Sequence, residues 1–149
     1  MKPKWLEIAE KEIGVTEKAG PANNQRIVQY HSTTTLKATQ DSVPWCSSFV
    51  SWCITQAGLK GTNSAAAISW LNWGVPTEPK EGAVTIIRQK QKGTDKATGS
   101  SSGNHVAFFK KIEGGRIFLL GGNQSDQVKV SSFGLGSYEV IGYRWPTQA

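Results

Sequence analysis

The chain changes character at Pro76 and Pro79, and this change constrains its fold more than any other feature. Before the two prolines, apolar residues recur at helical spacing. After them, short apolar runs rich in Val, Ile and Phe are separated by turn residues. Helices followed by strands, joined by short connections, predict an α+β fold with an antiparallel sheet. At 149 residues the chain is expected to be one domain with its own core.

Four helices are predicted in the first half of the chain. Pro44 suits a first helical position and Ser64 an N-cap, whereas Gly58 and Gly74 suit helix ends. The first helix has Trp5, Leu6, Ile8, Ala9 and Ile13 on one face. The predicted helical segments are residues 4–15, 23–31, 44–57 and 64–74.

Five strands are predicted in the second half, and with a sixth allowed they form a five- to six-stranded sheet. Glu113, Gly114 and Gly115 predict a tight turn that connects the second and third strands. The polar, Gly/Ser-rich stretch 88–104 predicts a long mobile surface loop. The predicted strands are residues 82–87, 105–109, 116–120, 127–131 and 140–145.

Charge and hydropathy limit the classes of partner and of location that the chain can have. The net charge of +6 and pI near 9.4 favour a polyanionic partner such as nucleic acid, an anionic envelope or an acidic polymer, without choosing among them. No apolar run approaches the roughly 20 residues of a membrane-spanning helix. Glu7, Glu10 and Glu12 give the N-terminus an amphipathic helical pattern, so no signal peptide is expected.

Both cysteines, Cys46 and Cys53, lie in the stretch "PWCSSFVSWC" on the third predicted helix. Seven helical residues span about 10 Å, whereas a disulfide needs Cα atoms within about 7 Å, so these two cannot bridge. With only His31 and His105 as imidazole ligands and no ligand motif, neither a metal nor a cofactor is expected. Cys53, amid apolar neighbours, is expected to pack as a small hydrophobe.

Cys46 differs from Cys53 because it lies at the start of the helix. Unpaired amides and the helix dipole stabilise a thiolate there, which predicts a lowered thiol pKa and a nucleophile. The amides of Trp45 and Cys46 are candidate donors to a developing oxyanion. A buried, inert thiol remains the alternative at this point.

A nucleophilic cysteine needs a histidine base and a third group that orients the imidazole. His105 opens a strand directly after the long loop, which suits a base lining a cleft. His31, at the end of a short helix, is predicted to be a surface cap. For the third group, the return of the next antiparallel strand places Asn123 beside His105. Asp126 is a weaker alternative because it suits a turn, and Gln124 is weaker still.

The motifs "PWCSSFVSWC", "GNHVAFF", "LLGGNQS", "SAAAISWLNWG" and "GYRWP" resemble the NlpC/P60 and CHAP group of cysteine peptidases and amidases, in particular a small branch found in phage lysins and bacterial genomes. The resemblance covers residues 41–146 and implies a papain-like fold. It also implies Cys46 as nucleophile, His105 as base and Asn123 as orienting residue. Trp45 is expected to form a wall of the substrate cleft, and Gln124 to contact substrate.

The resemblance further implies hydrolysis of an amide in or next to the stem peptide of peptidoglycan, as in a phage endolysin. The expected protein is a monomeric catalytic domain spanning 1–149, without a separate wall-binding module. It would be made in the cytoplasm without a signal peptide and act in the periplasm or at the cell wall after release. Alternatives are a bacterial amidase toxin of the same chemistry, or a non-catalytic basic module that binds cell wall or nucleic acid.

Overall fold

The structure, a computed structural model, describes residues 2–16, 25–33, 45–64, 66–91, 103–125 and 127–147. Within these ranges the helical elements precede the main strands, as predicted. The helices are α1 (Lys4–Lys11), α2 (Gln25–His31), α3 (Cys46–Gln56) and a 3₁₀ helix (Ala67–Asn72). The strands are β1 (Val75–Pro76), β2 (Val84–Gln89), β3 (Asn104–Glu113), β4 (Arg116–Gln124), β5 (Gln127–Gly134) and β6 (Tyr138–Trp145).

The six strands form one antiparallel sheet in the order β1-β6-β2-β3-β4-β5. This confirms the predicted α+β class. The turn between β3 and β4 is also as predicted: Gly114 and Gly115 both have positive φ, at 60° and 74°, a backbone that glycine adopts without a steric penalty.

One face of the sheet packs against the helices. Helix α3 lies across β3 and β4, and α1 and α2 pack against α3. The ring of Phe49 in α3 meets that of Phe108 in β3, with centroids 6.3 Å apart. Trp5, Leu6 and Tyr30 join the same core from the first two helices. Burial of this apolar face is the main force that fixes α3, and therefore its first residue, over the sheet.

The opposite face of the sheet carries a second apolar cluster. Successive side chains of a strand point to opposite faces. Val106 and Phe108 accordingly belong to the helix-facing core, whereas Ala107 and Phe109 belong to the second cluster. Phe133 of β5 joins that second cluster. The two faces of β3 are therefore both buried, and they bury different residues.

Several boundaries differ from the prediction for local reasons. Helix α1 ends at Lys11, so Ile13 lies outside it and is 50% exposed. The fourth helical element is a 3₁₀ helix that begins at Ala67. Ser64 does not cap it, because its side-chain oxygen instead accepts the N–H of Ala66, a local bond that competes with helix formation.

Val75 and Pro76 form a sixth strand at the edge of the sheet, paired with Trp145 and Arg144 of β6, which lies within the predicted five to six strands, and an edge is where a sheet tolerates proline. One further expectation was wrong. His31 is not a surface cap. Its side chain is fully buried between α2 and α3. The predictions for Pro44, the first residues of the second helix and most of the 88–104 loop fall outside the described residues.

Candidate active site

Cys46 is the first residue of α3, and Trp45 is its N-cap. The first intrahelical bond runs from the N–H of Phe49 to the carbonyl of Trp45. Three backbone amides hydrogen-bond the Cys46 thiol: those of Val106, Ser47 and Cys46 itself. Two of these are the unpaired donors of a helix N-terminus, as predicted, and the third comes from β3.

The contact with Val106 depends on how β3 and β4 separate. Their pairing runs from Glu113–Arg116 to Phe108–Leu120, and these described strands are not paired beyond that point. A buried backbone N–H needs an acceptor. The N–H of Val106 finds one in the Cys46 thiol, and this N–H belongs to the peptide link between His105 and Val106. The thiol is therefore held against the backbone that joins His105 to Val106.

The electrostatics of Cys46 differ from the prediction. The three amides lower the pKa of the thiol, but burial raises it by more, so the pKa lies above its ordinary value. The side chain is 7% exposed. The predicted lowering of the thiol pKa was thus wrong in its net direction, because the cost of desolvating a thiolate is larger than the stabilisation that the helix N-terminus gives it. This shift favours the neutral thiol over the thiolate, so a nucleophilic Cys46 would need a base.

Cys53 lies two turns further along α3 and is fully buried. Both cysteines are free thiols. Burial raises the pKa of Cys53 well above its ordinary value, and the negative charge of Glu12 adds to this effect. Cys53 is two turns away from the amides at the start of α3, so its environment is that of a packed core thiol.

His105 occupies the second residue of β3 and is fully buried. Its ring faces the second cluster, with its centroid 5.6 Å from that of Phe133. Its Nε2 lies 2.9 Å from Oε1 of Gln124. One ring nitrogen of His105 is therefore held by a side chain from β4, as a base that needs a fixed orientation would require.

The hydrogen bonds of Gln124 fix which ring nitrogen carries the proton. Its Nε2 donates to the carbonyls of Leu119, at 3.1 Å, and Lys129, at 2.8 Å. With both amide hydrogens used in this way, Oε1 is the atom that faces His105 and it can only accept. Nε2 of His105 is then protonated in the neutral ring. Nδ1, which is also buried, bears the lone pair that can receive a proton.

A bulge explains how Gln124 reaches Nε2 of His105. Strict alternation from Gly121, which faces Ala107, would direct Asn123 toward the face of His105. The register shifts between Gly121 and Gln124, and Asn123 has φ 59°. Asparagine tolerates this left-handed conformation better than most residues. The extra residue sends Gln124 to the face that strand alternation assigned to Asn123.

Two glycines, Gly121 and Gly122, allow a close approach of the backbone here. A Cβ on Gly121 would lie 2.7 Å from Ala107 and from Gln124. A Cβ on Gly122 would lie 2.7 Å from the Trp45 ring. Only glycine lets β4 run this close to both α3 and β3.

The two predicted substrate contacts are contradicted by burial. Trp45 is fully buried, stacked on Tyr30 at 5.8 Å and packed on Gly122, so it is a core residue and not a cleft wall. Gln124 is also fully buried, and its amide is committed to His105 and two carbonyls. Asn123 is 3% exposed. Asp126, the other candidate for the third role, lies outside the described residues.

In the described ranges, no three His, Cys, Asp or Glu side chains lie close enough together to hold a metal ion. Among the helices described, none is both long and apolar enough to cross a bilayer.

The profile of the CHAP domain family matches residues 38–123, which is more than half of the chain. The chain belongs to the CHAP domain family. The matched segment contains Cys46, His105 and Asn123 and ends one residue before Gln124. Comparison with curated proteins and with solved structures found no match. CHAP domains are generally hydrolases that act on peptidoglycan, so family membership supports a hydrolase or amidase of this substrate.

Proposed function

We propose that this CHAP domain is a thiol hydrolase with a papain-like arrangement of nucleophile and base. It cleaves an amide bond in or next to the stem peptide of peptidoglycan, as a lytic enzyme of the phage-endolysin type. One observation carries the proposal. The Cys46 thiol, at the start of α3, accepts a hydrogen bond from the N–H of Val106, the residue next to His105, and Gln124 holds the His105 ring. The roles are Cys46 as nucleophile, His105 as acid and base, and Gln124 as orienting residue.

In the first half-reaction, Nδ1 of His105 takes the thiol proton while Sγ of Cys46 attacks the amide carbonyl carbon. The neutral resting thiol makes this transfer necessary, because burial raises the thiol pKa. Amides at the start of α3 stabilise the negative charge that develops on the carbonyl oxygen. The imidazolium then protonates the leaving amine, the C–N bond breaks, and a thioester remains on Cys46.

In the second half-reaction, neutral His105 takes a proton from water, and the resulting hydroxide attacks the thioester. The C–S bond breaks, the product leaves as a carboxylic acid, and the thiol recovers its proton from His105. Gln124 serves both halves, because its oxygen accepts from Nε2, stabilises the imidazolium and fixes the orientation of the ring.

Mass spectrometry of digested peptidoglycan tests the proposal. Purified sacculi incubated with the protein are expected to release fragments with new amino groups and no new reducing sugar ends. New amino groups and new carboxylates that both lie on peptide residues indicate an endopeptidase, whereas a free lactyl carboxylate on muramic acid with a free amino group on the first stem residue indicates an amidase. Iodoacetamide-treated protein is the matched control and should release nothing. Binding without any release by untreated protein would instead support a basic binding module.

The orienting role of Gln124 gives a separate prediction. Gln124→Ala should lower kcat about 10²-fold, because His105 loses the acceptor that holds its ring and small misplacements cost this much. Asn123→Gly is the matched neighbour, since glycine keeps the positive φ while removing the side chain. It should retain most of the activity. A larger loss for Asn123→Gly than for Gln124→Ala, in folded protein, would return the third role to Asn123.

A further inference from the structure

The two residues that follow the nucleophile, Ser47 and Ser48, are fully buried at the first turn of α3. Hydroxyl groups are costly to bury unless they form hydrogen bonds. Each of these hydroxyls has a hydrogen-bond partner. The partners of Ser47 belong to the segment that follows α3 in the sequence, and the partner of Ser48 belongs to α2, which precedes α3.

Ser47 links α3 to the 3₁₀ helix and the segment before it. Its hydroxyl donates to the carbonyl of Ser64 at 2.7 Å and accepts from Nε1 of Trp70 at 2.8 Å. Trp70 is itself fully buried in the helix-facing core. The N–H of Ser64 bonds in turn to the hydroxyl of Thr62 at 3.3 Å. Both hydrogen bonds of the Ser47 hydroxyl therefore join it to groups that other contacts hold in place.

Ser48 links α3 to α2. Its hydroxyl lies 2.8 Å from Nδ1 of His31, the last residue of α2. The His31 ring is fully buried, and α2 packs directly against α3. His31 takes no part in the proposed reaction, so its burial at the first turn of α3 calls for another role.

We propose that Ser47 and Ser48, anchored by Trp70 and His31, are positioning residues that hold the first turn of α3 and so aim Cys46. The inference rests on the proposed function for its kinetic consequence. The first turn of a helix is where intrahelical bonds are fewest and fraying is easiest. Two buried side-chain bonds at consecutive residues supply the missing restraint. They also hold the backbone N–H of Ser47 against the Cys46 thiol.

The chain offers close controls for the two serines and for Trp70. Ser51 lies one turn after Ser47, is equally buried, and donates to the carbonyl of Thr33 at 3.2 Å. Trp73 lies one turn after Trp70, and its Nε1 donates to the carbonyl of Lys60 at 2.8 Å. Each control substitution removes a side-chain hydrogen bond of the same residue type as its counterpart, but at a point away from Cys46.

The test compares Ser47→Ala, Ser48→Ala and Trp70→Phe with Ser51→Ala and Trp73→Phe. Kinetics on soluble stem-peptide fragments should show kcat about tenfold lower at unchanged KM for the first three. The controls should keep the kcat of the unaltered protein. Ser47→Ala and Trp70→Phe remove the same bond, so the double variant should be no slower than the slower single one.

A second readout does not require hydrolysis. The rate of iodoacetamide attachment at Cys46, followed by mass spectrometry across pH, should have its midpoint at higher pH in Ser47→Ala and Trp70→Phe. In these variants the Ser47 amide is no longer held at the thiol. Losses of kcat that follow melting temperature across all five variants, multiplicative effects in the double variant, or unchanged alkylation midpoints would overturn the proposal. Absence of hydrolysis by the unaltered protein would refute the proposed function, and alkylation would still decide the positioning role.

Discussion

Cys46→Ala is expected to abolish peptidoglycan hydrolysis, with a loss of about 10⁴-fold or more, while the fold persists. The physical reason is that removing the nucleophile removes the thioester route altogether, and what remains is binding without chemistry. Cys46 lies at the edge of the core, 7% exposed, so loss of one sulfur costs little packing. Release of soluble fragments from sacculi, with circular dichroism to monitor folding, measures both effects.

Cys53→Ala is the matched control on the same helix. Cys53 is fully buried among core residues, so its loss leaves a small cavity and lowers the free energy of unfolding by about 1–2 kcal/mol. Activity per folded molecule should remain close to that of the unaltered protein. A folded but inactive Cys53→Ala protein alongside an active Cys46→Ala protein would reverse the two roles.

His105→Ala is expected to lower kcat about 10³-fold, the range in which a positioned acid and base contributes. The dependence on His105 should be strong, because burial raises the pKa of Cys46 and so disfavours the thiolate. Iodoacetamide attachment at Cys46 near neutral pH should slow together with hydrolysis, since both need the thiol proton removed. Hydrolysis of soluble fragments and peptide-mapped alkylation provide the two measurements.

Removal of a buried ring also costs stability, so a packing control is needed. Phe109→Leu removes an aromatic ring from the same apolar cluster, further along β3 and away from the thiol. It should lower the melting temperature without a comparable loss of kcat. A His105→Ala protein that is folded at the assay temperature and keeps more than about a tenth of the activity would contradict the role of base.

Local sequence was enough to predict the class of fold and the distinction between the two cysteines. Apolar spacing identified the helices and strands, because burial of one face imposes a period of 3.6 or 2 on the sequence. Glycines at 114 and 115 predicted the hairpin between β3 and β4, since both need positive φ. The position of Cys46 at a helix start, and of Cys53 among apolar neighbours, followed from the same patterns.

The identity of the residue that holds His105 was decided only by the tertiary structure. The return of β4 toward the start of β3 favoured Asn123, and a one-residue bulge, which has no local signal beyond two glycines and an asparagine, brings Gln124 to Nε2 of His105. The buried pair of Gln124 and His105 had no sequence pattern of its own. A Gln two residues after a Gly-Gly pair can be identified as an orienting residue only once the bulge is known.

The balance of forces on Cys46 was likewise out of reach of the sequence. A helix start predicts a lowered thiol pKa, and the amides do act in that direction, but desolvation depends on how completely β3, β4 and α3 enclose the sulfur. The burial of Trp45 and His31 reflects the same cause. Residue type and spacing along the chain determined which side chains are candidates for the chemistry. Long-range packing decided which of these side chains contact one another and in which direction their pKa values shift.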